Sequence, residues 1–155
     1  MADRLIAGRA VVEGEATGEA LVTSEALSFW GGYDFRTGEI IDKHHPLTGV
    51  RAAGRILAVP FSKGSSTTTA VLLEAVRAGT APAAILTTGV DSFFALASIV
   101  ADVMYAKSFP VIALEPAEFA SLHTGMRLAV QRSGVITCWD TETPLIRSAP
   151  DGEAR

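Results

Sequence analysis

Arg55-Ile56-Leu57-Ala58-Val59-Pro60-Phe61-Ser62-Lys63-Gly64-Ser65-Ser66-Thr67-Thr68-Thr69-Ala70-Val71-Leu72 is the stretch on which the fold turns. It opens with a short apolar run closed by Pro60, the pattern of a buried strand. It ends in a helix. From Thr67 to Ala78, Val71, Leu72, Ala75 and Val76 share one face, while Glu74 and Arg77 point elsewhere. Gly79 is a natural C-terminal stop. The pattern then repeats. Ala83 to Thr87 predicts a second buried strand, Ser92 to Val103 a second helix, and Val111 to Leu114 a third strand. Alternating strands and helices imply parallel pairing through right-handed crossovers.

Outside this unit the chain is richer in β signals. Leu5 to Val12 and Gly18 to Val22 read as strands, with Gly14 and Gly18 between them. Arg127 to Gln131 and Val135 to Cys138 flank Ser133-Gly134 and predict a closing hairpin. Residues 28–49 contain Gly31, Gly32, Gly38, Pro46 and Gly49, so they read as loop with one short strand at Glu39-Ile40-Ile41. The whole is an α/β domain with an added β layer over residues 1–140, followed by a polar, Pro-containing tail over 141–155.

Composition narrows the function classes. The 155 residues suit one domain, and 19% charged residues with 48% hydrophobic ones is a globular balance. A net charge of -4 and no Lys/Arg run give nucleic acid no electrostatic footprint. No apolar stretch is long enough to span a bilayer, because Thr87, Thr88, Asp91, Ser92 and Asp102 interrupt the best one. The N-terminus lacks a signal-peptide pattern, so a cytoplasmic location is expected. The single cysteine, Cys138, excludes an internal disulfide and any iron–sulfur cluster held by three or four cysteines of this chain alone.

The chemistry concentrates at Lys63-Gly64-Ser65-Ser66-Thr67, where a strand passes into a helix. Ligands of α/β sheets gather at the carboxyl ends of strands. A helix start there offers N–H groups and a positive dipole end to a carboxylate or phosphate. Gly64 lets backbone approach a ligand, and a serine among N–H donors can have its alkoxide stabilised. Taken singly, these residues favour a plainer role, since Ser and Thr are the preferred helix caps. A Walker-type phosphate loop does not match, because Lys63 precedes Gly64 and no earlier Gly stands at the required spacing.

Other candidates weigh less. His44 and His45 before Pro46 read as loop-fixing or interface residues rather than ligands, with only Asp42 nearby in sequence. His123 and Trp139 read as surface and packing residues, and Asp34 and Asp42 as turn caps. Phe29 and Trp30 read as buried anchors or contact residues before pocket walls.

A string of motifs then points further. Leu27-Ser28-Phe29-Trp30-Gly31-Gly32-Tyr33-Asp34, Thr37-Gly38-Glu39-Ile40-Ile41-Asp42, His44-His45-Pro46-Leu47-Thr48-Gly49, Gly54-Arg55-Ile56-Leu57, Lys63-Gly64-Ser65-Ser66 and Ala81-Pro82-Ala83-Ala84-Ile85 occur in that order. Over residues 5–138 the chain resembles the small subunit of aconitase X. The resemblance implies a swivelling β/β/α three-layer domain like the mobile domain of aconitase. It also implies a large partner subunit carrying an iron–sulfur cluster or iron, a division consistent with the lone Cys138. By the family's Gly-Ser-Ser motif, Ser65 is the base that abstracts the substrate proton. Lys63, Gly64, Ser66 and Thr67 are expected to bind a small carboxylate substrate. Ordinary aconitases carry an arginine after the two serines; Thr67 stands there instead, which argues against citrate.

Two family activities come with the resemblance, the dehydration of cis-3-hydroxy-L-proline in bacteria and of phosphomevalonate in archaea. The Ser28-Phe29-Trp30-Gly31-Gly32-Tyr33-Asp34 string and the double serine favour the first. The alternatives are a phosphomevalonate dehydratase small subunit and a non-catalytic module that binds a small anion. A phosphohistidine swivelling domain fits poorly, since it needs a histidine at a helix start and His45 precedes Pro46.

Overall fold

The computed structural model describes residues 3–63 and 67–139. Three strands of the central unit form as expected, β6 (Ile56–Ala58), β7 (Ala84–Thr87) and β8 (Val111–Ala113), in parallel register. Helices α1 (Thr67–Ala78) and α2 (Ser92–Tyr105) are the crossovers. α2 outlasts its expected end because Ala106 takes a left-handed cap conformation at φ 54°. Its N–H closes on the Asp102 carbonyl at 3.0 Å.

The remaining strands are β1 (Arg4–Ala7), β2 (Arg9–Val12), β3 (Ala16–Val22), β9 (Arg127–Val130) and β10 (Val135–Trp139). All eight join one sheet in the order β1-β10-β9-β3-β6-β7-β8-β2. β3 is the splice: Ala16 to Glu19 pair antiparallel with β9, and Ala20 to Val22 pair parallel with β6. β9 and β10 form the expected hairpin, turned at Gly134 with φ 97°. In the segment read as loop, the short strand expected at Glu39-Ile40-Ile41 forms as β5 (Glu39–Ile40) and pairs in a separate ribbon with β4 (Tyr33–Asp34), which was not expected.

Two features depart from expectation. Leu5 to Val12 is not one strand. Gly8 divides it, so β1 pairs with β10 at one end of the sheet order and β2 with β8 at the other. Only glycine fits at this seam: a Cβ would strike the Ile112 and Leu114 side chains and the Gly134 carbonyl oxygen. The Gly8 N–H donates to that same carbonyl at 3.0 Å. The second departure is a short helix α3 (Pro116–Ala120), which periodicity alone did not predict.

Core packing follows strand alternation. Leu57 and Ile85 face a cluster with Leu72, Ala75, Phe94 and Ala97 of the helices. Their neighbours Ile56, Ala58, Ala84 and Leu86 face a second cluster with Ile6, Leu128, Val130 and Ile136 of the antiparallel strands. The parallel strands are therefore covered on both sides, giving the helix, strand and strand layers expected. No helix among the described residues is long and apolar enough to cross a membrane. The outer face of α2 nevertheless leaves Leu96, Ile99, Val103 and Met104 exposed.

Candidate active site

The site is built from two neighbouring strand-to-helix loops. The first leaves β6 at Val59 and reaches α1 at Thr67; the second leaves β7 at Thr88 and reaches α2 at Ser92. Both lie at the carboxyl ends of adjacent parallel strands. Of the expected site residues, Lys63 is exposed at the end of the first loop's described part and Thr67 opens α1, half-buried. Gly64, Ser65 and Ser66 lie outside the described residues, as does the tail from residue 140.

The stem of the first loop is tightly held. Its Lys63 N–H donates to the Leu27 carbonyl at 3.0 Å, and Ser62 bridges in parallel to Leu27. The Ser62 N–H and hydroxyl both donate to Oδ2 of Asp91, at 2.7 and 2.8 Å. The other oxygen of Asp91 caps α2, accepting the Phe93 N–H at 3.0 Å and the Phe94 N–H at 3.2 Å. Asp91 is buried, so one carboxylate serves two elements at once. A further link joins the loops, the Thr88 N–H donating to the Pro60 carbonyl at 3.2 Å, and another joins the helices they lead into, the Thr69 hydroxyl donating to the Phe93 carbonyl at 3.1 Å.

Asp91 was not among the residues expected to matter. An Asp before the apolar Phe93-Phe94 run signals a helix cap, but its second bond crosses 29 positions of sequence and has no local signature.

Of the histidines, the His45 ring fixes a loop, one of the two roles expected of it. His45 is buried; its Nδ1 accepts the Leu47 N–H at 3.1 Å and its Nε2 faces the Glu25 carbonyl at 3.3 Å. That pattern places the proton on Nε2. His44 is exposed, with its N–H on the Asp42 carboxylate at 3.0 Å. His123 is an exposed turn residue. Asp34 caps a turn through the Arg36 N–H at 2.9 Å, the bond that chiefly holds its carboxyl below the usual range.

Phe29 and Trp30 part company. Phe29 is fully buried and meets Phe94 edge-on at 5.5 Å between ring centres. Trp30 is 69% exposed and, with Tyr33, Phe35, Arg36, Ile41 and Val71, lines an open depression of about 260 Å³. Tyr33 keeps its phenol buried, donating to the Thr80 carbonyl at 2.7 Å, and burial pushes its pKa up.

The described residues of this chain do not suit an iron centre. Among the described residues no three His, Cys, Asp or Glu side chains come together. Cys138 lies in the core of the antiparallel layer, where burial pushes its thiol up and away from the thiolate that metals need.

Known proteins share this architecture. Residues 5–138 match the family model of the aconitase X swivel domain. The chain is 48% identical over 110 residues to a cis-3-hydroxy-L-proline dehydratase of Pseudomonas aeruginosa; the match covers 71% of this chain but spans only 19% of that relative's length. It is 37% identical over 123 residues to the phosphomevalonate dehydratase small subunit of Archaeoglobus fulgidus, covering 79% of this chain and 88% of that one. A crystal structure of Thermococcus kodakaraensis aconitase X in its holo form is similar with a TM-score of 0.79 and 30% identity, over 88% of this chain and 99% of its own.

Proposed function

The chain belongs to the aconitase X swivel-domain family, and on that premise we propose that it is the small subunit of a two-chain dehydratase acting on cis-3-hydroxy-L-proline. The 48% identity to the Pseudomonas aeruginosa dehydratase carries the choice of substrate. The separate small subunit of the Archaeoglobus fulgidus enzyme, matched over 88% of its length, supports the two-chain organisation. The exposed apolar face of α2 suits a chain that works against a partner. The iron or iron–sulfur centre implied by the family is assigned to that larger partner, because the described donors of this chain do not assemble one.

In this reading Ser65 removes the C2 proton of the substrate. Lys63 and the N–H groups of Ser66 and Thr67 hold the ring carboxylate at the positive end of α1, and Gly64 lets the backbone come close. In the cis substrate the carboxylate and the hydroxyl share one ring face, so the C2 hydrogen lies opposite the hydroxyl. A base on one face and the departing hydroxyl on the other give an anti elimination of water. The enamine product tautomerises to Δ1-pyrroline-2-carboxylate. The C2 proton is weakly acidic, so orientation and electrostatic stabilisation of the carboxylate must supply much of the rate.

The phosphomevalonate reading is the alternative, favoured by the 37% identity to the archaeal small subunit. Co-expression with the large partner and presentation of both substrates separates the two. Formation of Δ1-pyrroline-2-carboxylate is the expected result. Turnover of phosphomevalonate alone transfers the assignment to the alternative, and turnover of neither by an intact complex overturns both.

A further inference from the structure

We infer that Asp91 is a positioning residue for the dehydration: it fixes the Ser62-Lys63 stem from which the catalytic loop departs, separately from its capping of α2. The inference rests on the proposed role of that loop.

Three observations carry it. First, the division of labour between the two carboxylate oxygens is complete, with Oδ1 on the Phe93 and Phe94 N–H groups and Oδ2 on the Ser62 N–H and hydroxyl. A cap needs only the first pair, and Ser or Asn supplies it as well as Asp. Second, the bonds to Ser62 are the shorter ones, 2.7 and 2.8 Å against 3.0 and 3.2 Å at the cap. Asp91 is 9% exposed, so these bonds are little weakened by water. Third, the stem has fixed points on either side of Ser62, so the hold at Ser62 sets its tilt between them. The Lys63 N–H is fixed on Leu27, and Pro60 is fixed on Thr88 of the second loop. Ser65 follows Ser62 by three positions in sequence, and on this inference a tilt of the stem is carried to it. A displacement of about 1 Å at a reacting group costs on the order of a hundredfold in rate.

The test uses the complete two-chain complex and whichever substrate it turns over. Asp91→Ser keeps an α2 cap but is too short to reach Ser62. We expect kcat to fall between about tenfold and a hundredfold, with KM changed less than about threefold and the melting temperature lowered by no more than about 4 °C. Ser62→Ala removes one of the two bonds and is expected to lower kcat by about threefold. The double variant is expected to be no slower than Asp91→Ser alone, since both changes act through one link. A residue that merely capped α2 would leave kcat at its parental value in Asp91→Ser. That outcome, or losses that multiply in the double variant, overturns the inference. If Asp91→Ser fails to fold, Asp91→Asn replaces it: the amide still caps α2 but sets an NH2 against the Ser62 N–H. Ser65→Ala is measured alongside. Full turnover in Ser65→Ala overturns the proposed base and the inference that rests on it. An inactive Ser65→Ala with a fully active Asp91→Ser overturns the tether alone.

Discussion

The two strand-to-helix loops share a topology and differ in the charge that leads into the helix. At α2 the chain provides its own anion, since Asp91 takes the Phe93 and Phe94 N–H groups. At α1 the first turn carries no acidic residue, and the residues leading into it are Lys63, Gly64 and a run of hydroxyls. A helix start that brings its own carboxylate is closed to other anions. One preceded by glycine and hydroxyls carries no fixed negative charge, and in the proposed function its positive end faces the substrate carboxylate. The second loop thus supplies an anchor, and the Ser62 stem of the first is held by it.

The sharpest way to break this contrast is at Ser65. Ser65→Ala is expected to lower kcat by about a thousandfold or more while the complex still co-elutes on size exclusion; full turnover removes the chemical half of the comparison. Next in size is the anchor itself. Asp91→Ala uncaps α2 and strands the Ser62 N–H together, for a loss of about 2 kcal/mol in denaturant unfolding. A loss near zero would mean that the anchor holds little. Thr67→Asp gives α1 a carboxylate of its own and makes the two starts alike. KM is expected to rise about tenfold, or about 1.4 kcal/mol, with stability unchanged or raised by about 0.5 kcal/mol. An unaltered KM would show that the substrate anion does not sit there. Lys63→Gln is the smallest change. KM should rise about threefold at low salt, and the difference should shrink as salt screens an exposed charge.

The parallel unit was legible because its signals are local. The run to Val59, the face of Val71, Leu72, Ala75 and Val76, and the stop at Gly79 each occupy a few neighbouring residues. The hairpin at Gly134 was legible for the same reason. Gly8 was not: β pattern continues on both sides of it, and what forbids a side chain there comes from Ile112, Leu114 and Gly134, far along the chain. α3 is five residues long, too short for a helical period to show. At the site, the motif pointed to the loop, and the capping signal at Asp91 was readable. The carboxylate's second partner was not, because Ser62 is brought to it only by the pairing of β6 with β7.

The seam at Gly8 has a consequence for how this chain meets others. A sheet normally ends in two rows of unsatisfied amides and carbonyls, each able to recruit a foreign strand. Here both ends of the eight-stranded sheet order are four-residue strands that follow one another in the chain, joined at Gly8, whose N–H is pinned to the Gly134 carbonyl. So little backbone is offered at either end that annexing a strand from another molecule is a poor route to assembly. Among the described residues, this sheet therefore gives polymerisation by edge pairing little backbone on which to begin.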